Sequence, residues 1–320
     1  MILLTGAAGF IGNVVADQML TQGRDVLGLD NLNDYYDVRI KNWRCQQLEK
    51  RKNYRFKRLD IENYQELEKI FQDNRFEAVI NLAARAGVRY SMENPFVYMT
   101  TNADGTLNLL ELCRKYKVPK FVLASTSSLY AGQPMPFAET LPVNTPISPY
   151  AATKKAAEAI CYSYHYLYGI DVSIPRYFTV YGPAGRPDMS IFRFSWWALH
   201  DKKIEVFGDG TQTRDFTYVT DIARGTVAAL KNVGYEVINL GNNHPQQLNY
   251  LIELIAKETG RKMDRNSADF HKADLTATCA NIEKAGRLLN WKPEVSLQEG
   301  VARTVKWMKD NWDWVKDLKI

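Results

Sequence analysis

Short apolar runs alternate with stretches of helical periodicity along the first half of the chain. Five of these runs read as buried strands, at residues 1–5, 25–30, 54–60, 78–84 and 120–128. Helices are predicted after the first run, at residues 64–71 and 95–116, and again from residue 148. Repeated β-α units predict a parallel sheet that carries helices on both faces and binds ligands at the carboxyl ends of its strands.

The regular alternation of predicted strands and helices ends after Pro175, where we expect a domain boundary. Glycines and prolines between residues 182 and 187 indicate an irregular loop. A helix at 221–230 and a strand at 236–241 are expected to rejoin the first sheet. Further elements are predicted at residues 189–198 (helix), 203–210 (strand and turn) and 248–259 (helix).

A glycine loop at residues 6–12 separates the first strand from the first helix. Gly6 permits a tight turn, Gly9 lets the backbone approach a pyrophosphate, and Gly12 lets the helix pack closely. Asp30 ends the second strand, where it can accept hydrogen bonds from an adenosine ribose. Its charge would repel a 2′-phosphate, so NAD is favoured over NADP. The alternative is a glycine-rich turn in an unrelated α/β protein.

The predicted fold class is therefore α/β, a Rossmann-type doubly wound parallel sheet with a smaller, discontinuous α/β substrate domain. The sheet domain is assigned to residues 1–175 with 215–242, and the substrate domain to residues 176–214 and 243–320. Strand ends and the glycine loop supply the candidate NAD contacts. These are Gly6, Gly9, Phe10, Ile11, Gly12, Asp30, Asn31, Asp60, Ile61, Leu82, Ala83, Ala84, Asn102, Ser125, Tyr150, Lys154 and Tyr177.

Tyr150 and Lys154 lie four residues apart, so a helix places them on one face. A lysine beside the phenol would lower the tyrosine pKa from about 10 toward neutrality and make it a usable general base. Taken alone, the pair is better explained as an exposed tyrosine and lysine on a surface helix, because this spacing is common by accident. The hydroxyl run 125–128 ends the fifth strand and is a candidate for catalysis or for local turn capping.

These features together resemble the extended short-chain dehydrogenase/reductase superfamily over nearly the whole chain. The similarity rests on the glycine loop, Asp30, residues 82–84, the hydroxyl run with Tyr130, and the Tyr150 and Lys154 pair. It implies that Tyr150 is the acid/base, that Lys154 binds the nicotinamide ribose, and that Thr126 polarises the reacting oxygen. Ser127 and Ser128 are implied as helpers.

The hydroxyl run narrows the resemblance. Related sugar dehydratases carry Thr-Asp-Glu at the positions of Thr126, Ser127 and Ser128, and nucleotide-sugar decarboxylases carry Thr-Ser-Glu. A carboxylate is needed there for their extra proton transfers, whereas an epimerase needs only reversible transfer of a hydride and one proton. Residues 31–37 and 176–189 resemble UDP-glucuronate 4-epimerases.

That resemblance implies that Thr179 and Arg186 lie near the sugar carboxylate, whereas UDP-glucose 4-epimerases usually have Asn in place of Thr179. The chain departs from the family at four positions. Asn81 replaces His, Arg85 replaces Gln, Ala131 replaces Gly, and Ala184 replaces Trp or Arg.

The nucleotide end of the substrate is assigned to residues 206–214. Gly208 would let the backbone approach the uracil, Phe207 would pack on it, and Arg214 would bind the diphosphate. An ion pair of Arg214 with a neighbouring aspartate is the alternative. The family also has an Arg or Asp near residues 273–281, and Asp274 matches it loosely. The candidate substrate contacts are Thr126, Tyr150, Thr179, Arg186, Val206, Phe207, Gly208 and Arg214.

The composition of this chain of 320 residues mainly argues against certain classes of function. The net charge of +5 is spread along the chain, so nucleic-acid binding is not expected. The four cysteines are far apart, without metal-ligand spacing, and no metal is expected. No signal peptide or membrane-spanning run is recognised, so we expect a cytoplasmic protein. The family suggests a homodimer packed through helices near 95–116 and 150–168, although burial within a monomer would give the same pattern.

The resulting hypothesis is an NAD-dependent 4-epimerase that converts UDP-glucuronate to UDP-galacturonate. The resemblance implies transient oxidation at C4, rotation of the 4-keto sugar and reduction from the opposite face. UDP-glucose 4-epimerase is the first alternative. A UDP-glucuronate decarboxylase is disfavoured by Ser128, and a non-catalytic NAD sensor by the presence of Tyr150 and Lys154.

Overall fold

The computed structural model describes residues 1–269 and 275–320, so Asp274 lies outside the described residues. The strands are β1 Ile2–Thr5, β2 Val26–Asp30, β3 Tyr54–Arg58, β4 Ala78–Asn81, β5 Lys120–Leu123, β6 Ser125–Thr126, β7 Asp171–Tyr177, β8 Thr179–Tyr181, β9 Ile204–Phe207, β10 Thr213–Arg214, β11 Phe216–Tyr218, β12 Tyr235–Leu240, β13 Gln246–Gln247 and β14 Arg265–Ala268.

The α-helices are α1 Phe10–Thr21, α2 Val38–Glu49, α3 Tyr64–Asp73, α4 Tyr90–Glu93, α5 Phe96–Tyr98, α6 Gly105–Lys115, α7 Pro149–Tyr168, α8 Ser190–Leu199, α9 Val219–Ala228, α10 Leu248–Thr259, α11 Glu283–Leu289, α12 Leu297–Asp310 and α13 Trp312–Val315. A π-helical segment, Met99–Asp104, joins α5 to α6, and a 3₁₀ turn, Ser127–Tyr130, follows β6.

One parallel sheet organises the molecule, with strand order β12-β7-β5-β4-β1-β2-β3 and β6 paired to β7. The order reverses direction between β1 and β4, which is the switch point where such sheets bind ligands. The predicted α/β fold class is confirmed. Strand β12 lies beside β7, and β7 itself continues to Tyr177, two residues beyond the expected boundary at Pro175.

Helices cover both faces of the sheet because its central strands are apolar on both sides. Strands β1, β4 and β5 are buried along their whole length. Helices α1 and α9 pack on one face through Val15 and Ile222, and α3 and α6 pack on the other through Leu67 and Leu109. Each fully buried side chain of this kind contributes about 1.5–3 kcal/mol.

Helix α2 was not predicted from the pattern, because its inward face carries charged residues. Lys41 and Arg44 are buried on it beside Ile40, Cys45 and Leu48. A helix that buries cations lacks the apolar stripe by which amphipathic helices are recognised. Asp37 caps it by accepting a hydrogen bond from the Arg39 amide at 3.0 Å.

The second part of the chain has its own apolar core between α8, α10 and α12. Its strands form short two-stranded sheets, with β8 beside β11, β9 beside β14 and β10 beside β13. An aromatic cluster then joins the C-terminal helices to α2, where the Trp43 ring stacks on Trp314 with 6.1 Å between centroids. The Lys319 amide also donates to Asp37 at 3.1 Å.

Candidate active site

A cavity of about 390 Å³ opens at the carboxyl ends of the central strands. It extends from the glycine loop, past β4 and β6, to the loop that follows β8. Most of the predicted site residues line it together. They are Gly6, Gly9, Phe10, Ile11, Gly12, Asp30, Asn31, Asp60, Ile61, Leu82, Ala83, Ala84, Ser125, Thr126, Ser127, Ser128, Tyr150, Lys154, Tyr177, Thr179 and Arg186.

The glycine loop has no room for side chains at its turning points. Gly6 has a φ of +71°, and the Gly9 amide donates to the Gly6 carbonyl at 2.9 Å. A Cβ at Gly12 would lie 2.0 Å from the Gly6 oxygen. Because the loop opens directly into the N-terminus of α1, its free amides and the helix dipole fit a pyrophosphate.

The Asp30 carboxylate lies at the end of β2 and is held by main-chain donors. It accepts hydrogen bonds from the Ala8 amide at 3.1 Å and the Leu32 amide at 2.8 Å. Asn31 donates to Asp60 at 2.6 Å, which ties the ends of β2 and β3 together. These carboxylates face the cavity, where ribose hydroxyls are suitable donors to them.

Helix α7 brings the Tyr150 and Lys154 pair to the cavity. Its first turn is capped by Ser148, whose hydroxyl accepts from the Ala151 amide at 3.2 Å. The Lys154 ammonium donates to the Ala124 carbonyl at 2.9 Å. Burial lowers the pKa of Lys154 to about 8, although the Glu158 charge acts to raise it.

The predicted effect of Lys154 on Tyr150 is wrong for this arrangement. Burial raises the pKa of Tyr150, and the opposing contributions come from hydrogen bonding with the Thr126 hydroxyl and from the Arg186 charge. The lysine instead directs its ammonium to the Ala124 carbonyl at the end of β5. The Arg186 charge, which the sequence argument had assigned only to substrate binding, thus acts in the direction that lowers the Tyr150 pKa.

The side chains of the hydroxyl run, residues 125–128, have different hydrogen-bond partners. Thr126 donates to the Ser128 hydroxyl at 3.1 Å and accepts from the Ser128 amide at the same distance. Ser125 instead donates to the buried Glu158 carboxylate at 2.6 Å. Arg176 holds that carboxylate with two hydrogen bonds, of 2.9 and 2.7 Å. Glu158 and Arg176 were missed as supporting residues because buried charges resemble surface charges in a sequence.

Arg186 lies on the loop after β8 and already has a carboxylate partner. Its guanidinium donates to both oxygens of Asp188, at 3.0 and 2.5 Å, and lies 5.7 Å from the centre of the Tyr35 ring. Thr179 begins β8, and its amide donates to the Asp215 carbonyl at 3.1 Å. Arg186 and Thr179 line the same cavity as Tyr150.

Asn102 lies behind the cavity wall rather than on it. Its side-chain oxygen accepts from the Arg85 amide at 2.9 Å, and its nitrogen donates to the Arg85 carbonyl and to Thr153, both at 3.0 Å. Since its whole amide is used in these bonds, Asn102 positions the loop after β4. The described cavity lining does not include Asn102, and its contact with NAD stays a prediction.

The predicted nucleotide contacts are also absent from the cavity lining, as far as the described residues define it. Val206 is buried in the core of the second part of the chain, and the Gly208 amide donates to the Ala268 carbonyl at 2.8 Å. The Arg89 guanidinium lies over the Phe207 ring, 3.7 Å from its centre. Arg214 donates to the Thr213 carbonyl at 2.9 Å.

The structure shows where the four residues that depart from the family pattern lie, and it gives hydrogen-bond partners for Asn81. Asn81 accepts from Thr5 at 2.7 Å and donates to Thr106 at 3.1 Å, so it joins β4 to β1 and α6. Ala184 is buried with a φ of +50°. Arg85 lines the cavity, and Ala131 is buried after the 3₁₀ turn.

Several further residues line the cavity that sequence reasoning missed. Tyr35, Tyr36 and Lys41 come from the segment around the start of α2, and Ala86 to Val88 come from the loop after β4. Asp37, which follows Tyr35 and Tyr36, could have indicated the start of α2, because aspartate is a favoured residue at the N-terminal cap of a helix. Within residues 1–269 and 275–320, no cluster of potential metal ligands was found, nor any helix suited to crossing a membrane.

Comparison with known proteins agrees with this geometry. Residues 3–304 match the family described as GDP-mannose 4,6-dehydratase. A UDP-glucuronate 4-epimerase of Thermodesulfobacterium geofontis is 57% identical over 319 residues, which cover 99% of each chain. UDP-glucuronate 4-epimerase 4 of Arabidopsis thaliana is 41% identical over 326 residues, covering 96% of this chain and 74% of that one.

Solved structures give the same picture. The Bacillus cereus UDP-glucuronic acid 4-epimerase, in complex with UDP-glucuronic acid and NAD, is 40% identical. Its TM-score is 0.91, with 97% of this chain and 99% of that one covered. A Thermotoga maritima UDP-glucose 4-epimerase with UDP-glucose is 32% identical with a TM-score of 0.89, at the same coverages.

Proposed function

The chain belongs to the GDP-mannose 4,6-dehydratase family, and on that basis we propose that it is an NAD-dependent 4-epimerase converting UDP-glucuronate to UDP-galacturonate. One observation carries the proposal. A single cavity joins the glycine loop and Asp30 to Thr126, Tyr150 and Arg186. The cofactor loop, the proton-handling groups and a cation suited to a uronate carboxylate are thus within reach of one bound sugar.

NAD fits the residues at the glycine-loop end of the cavity. Asp30 and the main chain of the glycine loop would hold it, with Lys154 at the nicotinamide ribose. When bound, NAD supplies reversible hydride acceptance at the C4 carbon of the sugar. Since the hydride is returned in each turnover, the enzyme needs no second substrate.

Tyr150 handles the proton of the sugar O4. As a phenolate it takes that proton while the C4 hydride leaves, and it returns the proton after the 4-keto sugar has turned. Thr126 hydrogen-bonds the same oxygen, and Ser127 and Ser128 complete the hydroxyl surface around it. The Thr126 bond and the Arg186 charge help the phenolate form, because both oppose the effect of burial on the Tyr150 pKa.

Elimination and decarboxylation are disfavoured by the same hydroxyl surface. Ser128 stands where related dehydratases and decarboxylases both carry Glu, and Ser127 stands where the dehydratases carry Asp. The carboxylate for an additional proton transfer is therefore missing from this run. The family is named after a dehydratase, whereas the reaction proposed for this chain is an epimerisation without loss of water.

The uronate carboxylate is assigned to Thr179 and Arg186. Oxidation at C4 would make the sugar a β-keto acid, which can lose carbon dioxide. Anchoring the carboxylate would hold the C5–C6 bond out of the alignment that this loss requires. Because Asp188 shares the Arg186 guanidinium, we propose that the substrate carboxylate uses the remaining donors of that side chain.

For the nucleotide, Arg214 remains the proposed diphosphate ligand. Gly208 and Val206 would offer main-chain groups to the uracil. Phe207 would pack on the uracil, next to the Arg89 guanidinium that lies 3.7 Å from the centre of its ring.

The enzyme is further proposed to be a homodimer in a reducing cytoplasm. Large apolar side chains are exposed on two neighbouring helical segments, with Phe96 79% and Tyr166 76% accessible. Such residues on α5 to α7 suit a shared helical interface. The four cysteines are free thiols, which agrees with a reducing compartment. We also propose that residues 1–175 with 215–242 bind NAD, while 176–214 and 243–320 bind the nucleotide sugar.

The decisive experiment is incubation of the purified protein with UDP-glucuronate, without added NAD, followed by separation of the two epimers. We expect UDP-galacturonate to accumulate to equilibrium, while the Tyr150→Phe variant retains NAD but loses turnover. Carbon dioxide release would indicate a decarboxylase, and conversion of UDP-glucose alone would indicate the neutral-sugar epimerase. A Tyr150→Phe variant keeping more than about one part in a hundred of the activity would remove the tyrosine from its role.

A further inference from the structure

Arg44 is a fully buried cation that the mechanism above does not use. It lies on α2 and is 1% exposed. Its guanidinium donates to the Ala184 carbonyl at 2.7 and 3.1 Å, to the Gly185 carbonyl at 3.0 Å and to the Ala8 carbonyl at 3.1 Å. A fifth bond reaches the Tyr36 hydroxyl at 2.7 Å.

These partners belong to two functionally separate loops. Ala8 is part of the glycine loop, and its amide is already bonded to Asp30, so this residue is fixed through both its N–H and C=O. Ala184 and Gly185 immediately precede Arg186, which lines the cavity. The planar fork of one arginine therefore connects the cofactor loop to the loop that bears the proposed carboxylate ligand.

The strained backbone conformation of Ala184 is a reason why the Arg44 hydrogen bonds are needed at this turn. Its φ of +50° lies in the left-handed region, which is costly for alanine. Two of the five Arg44 hydrogen bonds go to the Ala184 carbonyl, and these bonds help to hold the strained turn. A buried guanidinium whose five hydrogen bonds go to neutral oxygens is itself costly, so its geometry has to be favourable.

We propose that Arg44 is a positioning residue that holds the Arg186 loop in register with the glycine loop, and so sets the preference for a uronate over a neutral sugar. The proposal rests on the proposed function in one respect, namely that Arg186 meets the sugar carboxylate. Arg44 does not itself contact the sugar. It acts by keeping Arg186 at a fixed distance from the bound cofactor and from Tyr150.

The test is the Arg44→Lys variant, because a lysine ammonium keeps the charge but cannot span three carbonyls. We expect KM for UDP-glucuronate to rise about ten- to a hundredfold, the effect of losing a charge-assisted hydrogen bond, with a much smaller change in kcat. Turnover of UDP-glucose should change little, so the preference for UDP-glucuronate falls. Arg224→Lys is the control for the same substitution outside the cavity lining. Arg224 donates to the Lys292 carbonyl at 2.9 Å and also forms ion pairs with Asp221 and Glu294.

A double variant separates positioning from general damage. If Arg44 acts through Arg186, the Arg44→Lys/Arg186→Ala protein should have the same substrate preference as Arg186→Ala alone. Multiplying losses of preference in the double variant, or an Arg44→Lys variant that keeps the wild-type preference, would overturn the proposal. A wild-type protein inactive on UDP-glucuronate would instead refute the proposed function before any variant is compared.

Folding of the variants is checked by thermal unfolding at constant NAD. Should Arg44→Lys not fold, Asn13→Ala provides a milder change, because Asn13 donates to the Arg44 main-chain carbonyl at 2.8 Å and does not line the cavity. A smaller loss of preference in the same direction is expected from it. An unchanged preference in a folded Asn13→Ala protein would then decide against the positioning role.

Discussion

Replacing Arg176 by methionine tests whether the buried ion pair beneath the hydroxyl run supports the fold. Arg176 and Glu158 are 2% and 1% exposed, and two hydrogen bonds join them. The guanidinium also lies 4.8 Å from the centre of the Tyr130 ring. Arg176→Met would leave the buried Glu158 carboxylate with the Ser125 hydroxyl as its hydrogen-bond donor and with the half-buried Lys155 ammonium at 3.8 Å.

The size of the loss follows from the burial of the pair. Leaving one charge of a buried pair without its partner costs about 3–5 kcal/mol. A chain of 320 residues unfolds with an entropy of about 0.7 kcal/mol/K, on the basis of about 2.1 cal/mol/K for each residue. We therefore expect Tm to fall by about 4–7 °C in the single variant.

Calorimetry at a fixed, saturating NAD concentration measures the change, because bound ligand shifts Tm. The Arg176→Met/Glu158→Gln variant should recover most of the loss, since its neutral amide can still accept from Ser125. Lys306→Met removes an exposed pair with Asp310 and should cost less than about 1 kcal/mol. The reasoning fails if Arg176→Met is no worse than Lys306→Met, or if the double variant is as unstable as the single one.

Three further outcomes are expected. Gly12→Ala should purify without NAD by absorbance and mass spectrometry, because its Cβ would lie 2.0 Å from the Gly6 oxygen. Arg186→Ala should move the pH profile of kcat/KM for UDP-glucose to higher pH, because the Arg186 charge lowers the pKa of Tyr150; an unchanged profile would contradict this. Burial lowers the Lys41 pKa to about 8, below its unfolded value of about 10.4. Because the unfolded state then binds more protons between these two pH values, the free energy of unfolding of the NAD-free wild type should increase as the pH rises from about 8 to about 10.4, relative to Lys41→Met.

The sheet and the cofactor loop could be predicted because their signals are local. β1 and β4 are continuous apolar runs, and the spacing of the glycine loop is set by one strand-to-helix turn. The Tyr150 helix was equally clear from its Ser148 cap. In each case the neighbouring residues alone determine the geometry.

Other parts of the site depend on contacts between distant segments. Helix α2 was missed because Arg44 is buried against carbonyls 140 residues away, where a pattern search expects apolar residues. Asn102 was assigned to NAD, yet its amide is used by Arg85 on another loop. The Phe207 ring is likewise covered by a side chain from a different part of the chain. Sequence spacing carries no information on such pairings.

The contact between the C-terminal helices and α2 has a consequence for the order in which the site forms during synthesis. The Lys319 amide bonds to Asp37 across a separation of 282 residues, and Trp314 stacks on Trp43. The helix that holds both cavity loops can pack on α1 and β3 early in synthesis, but it gains its C-terminal partners only after residues 312–319 have emerged. A nascent chain can form its sheet before that point, while the contacts that complete α2 form later.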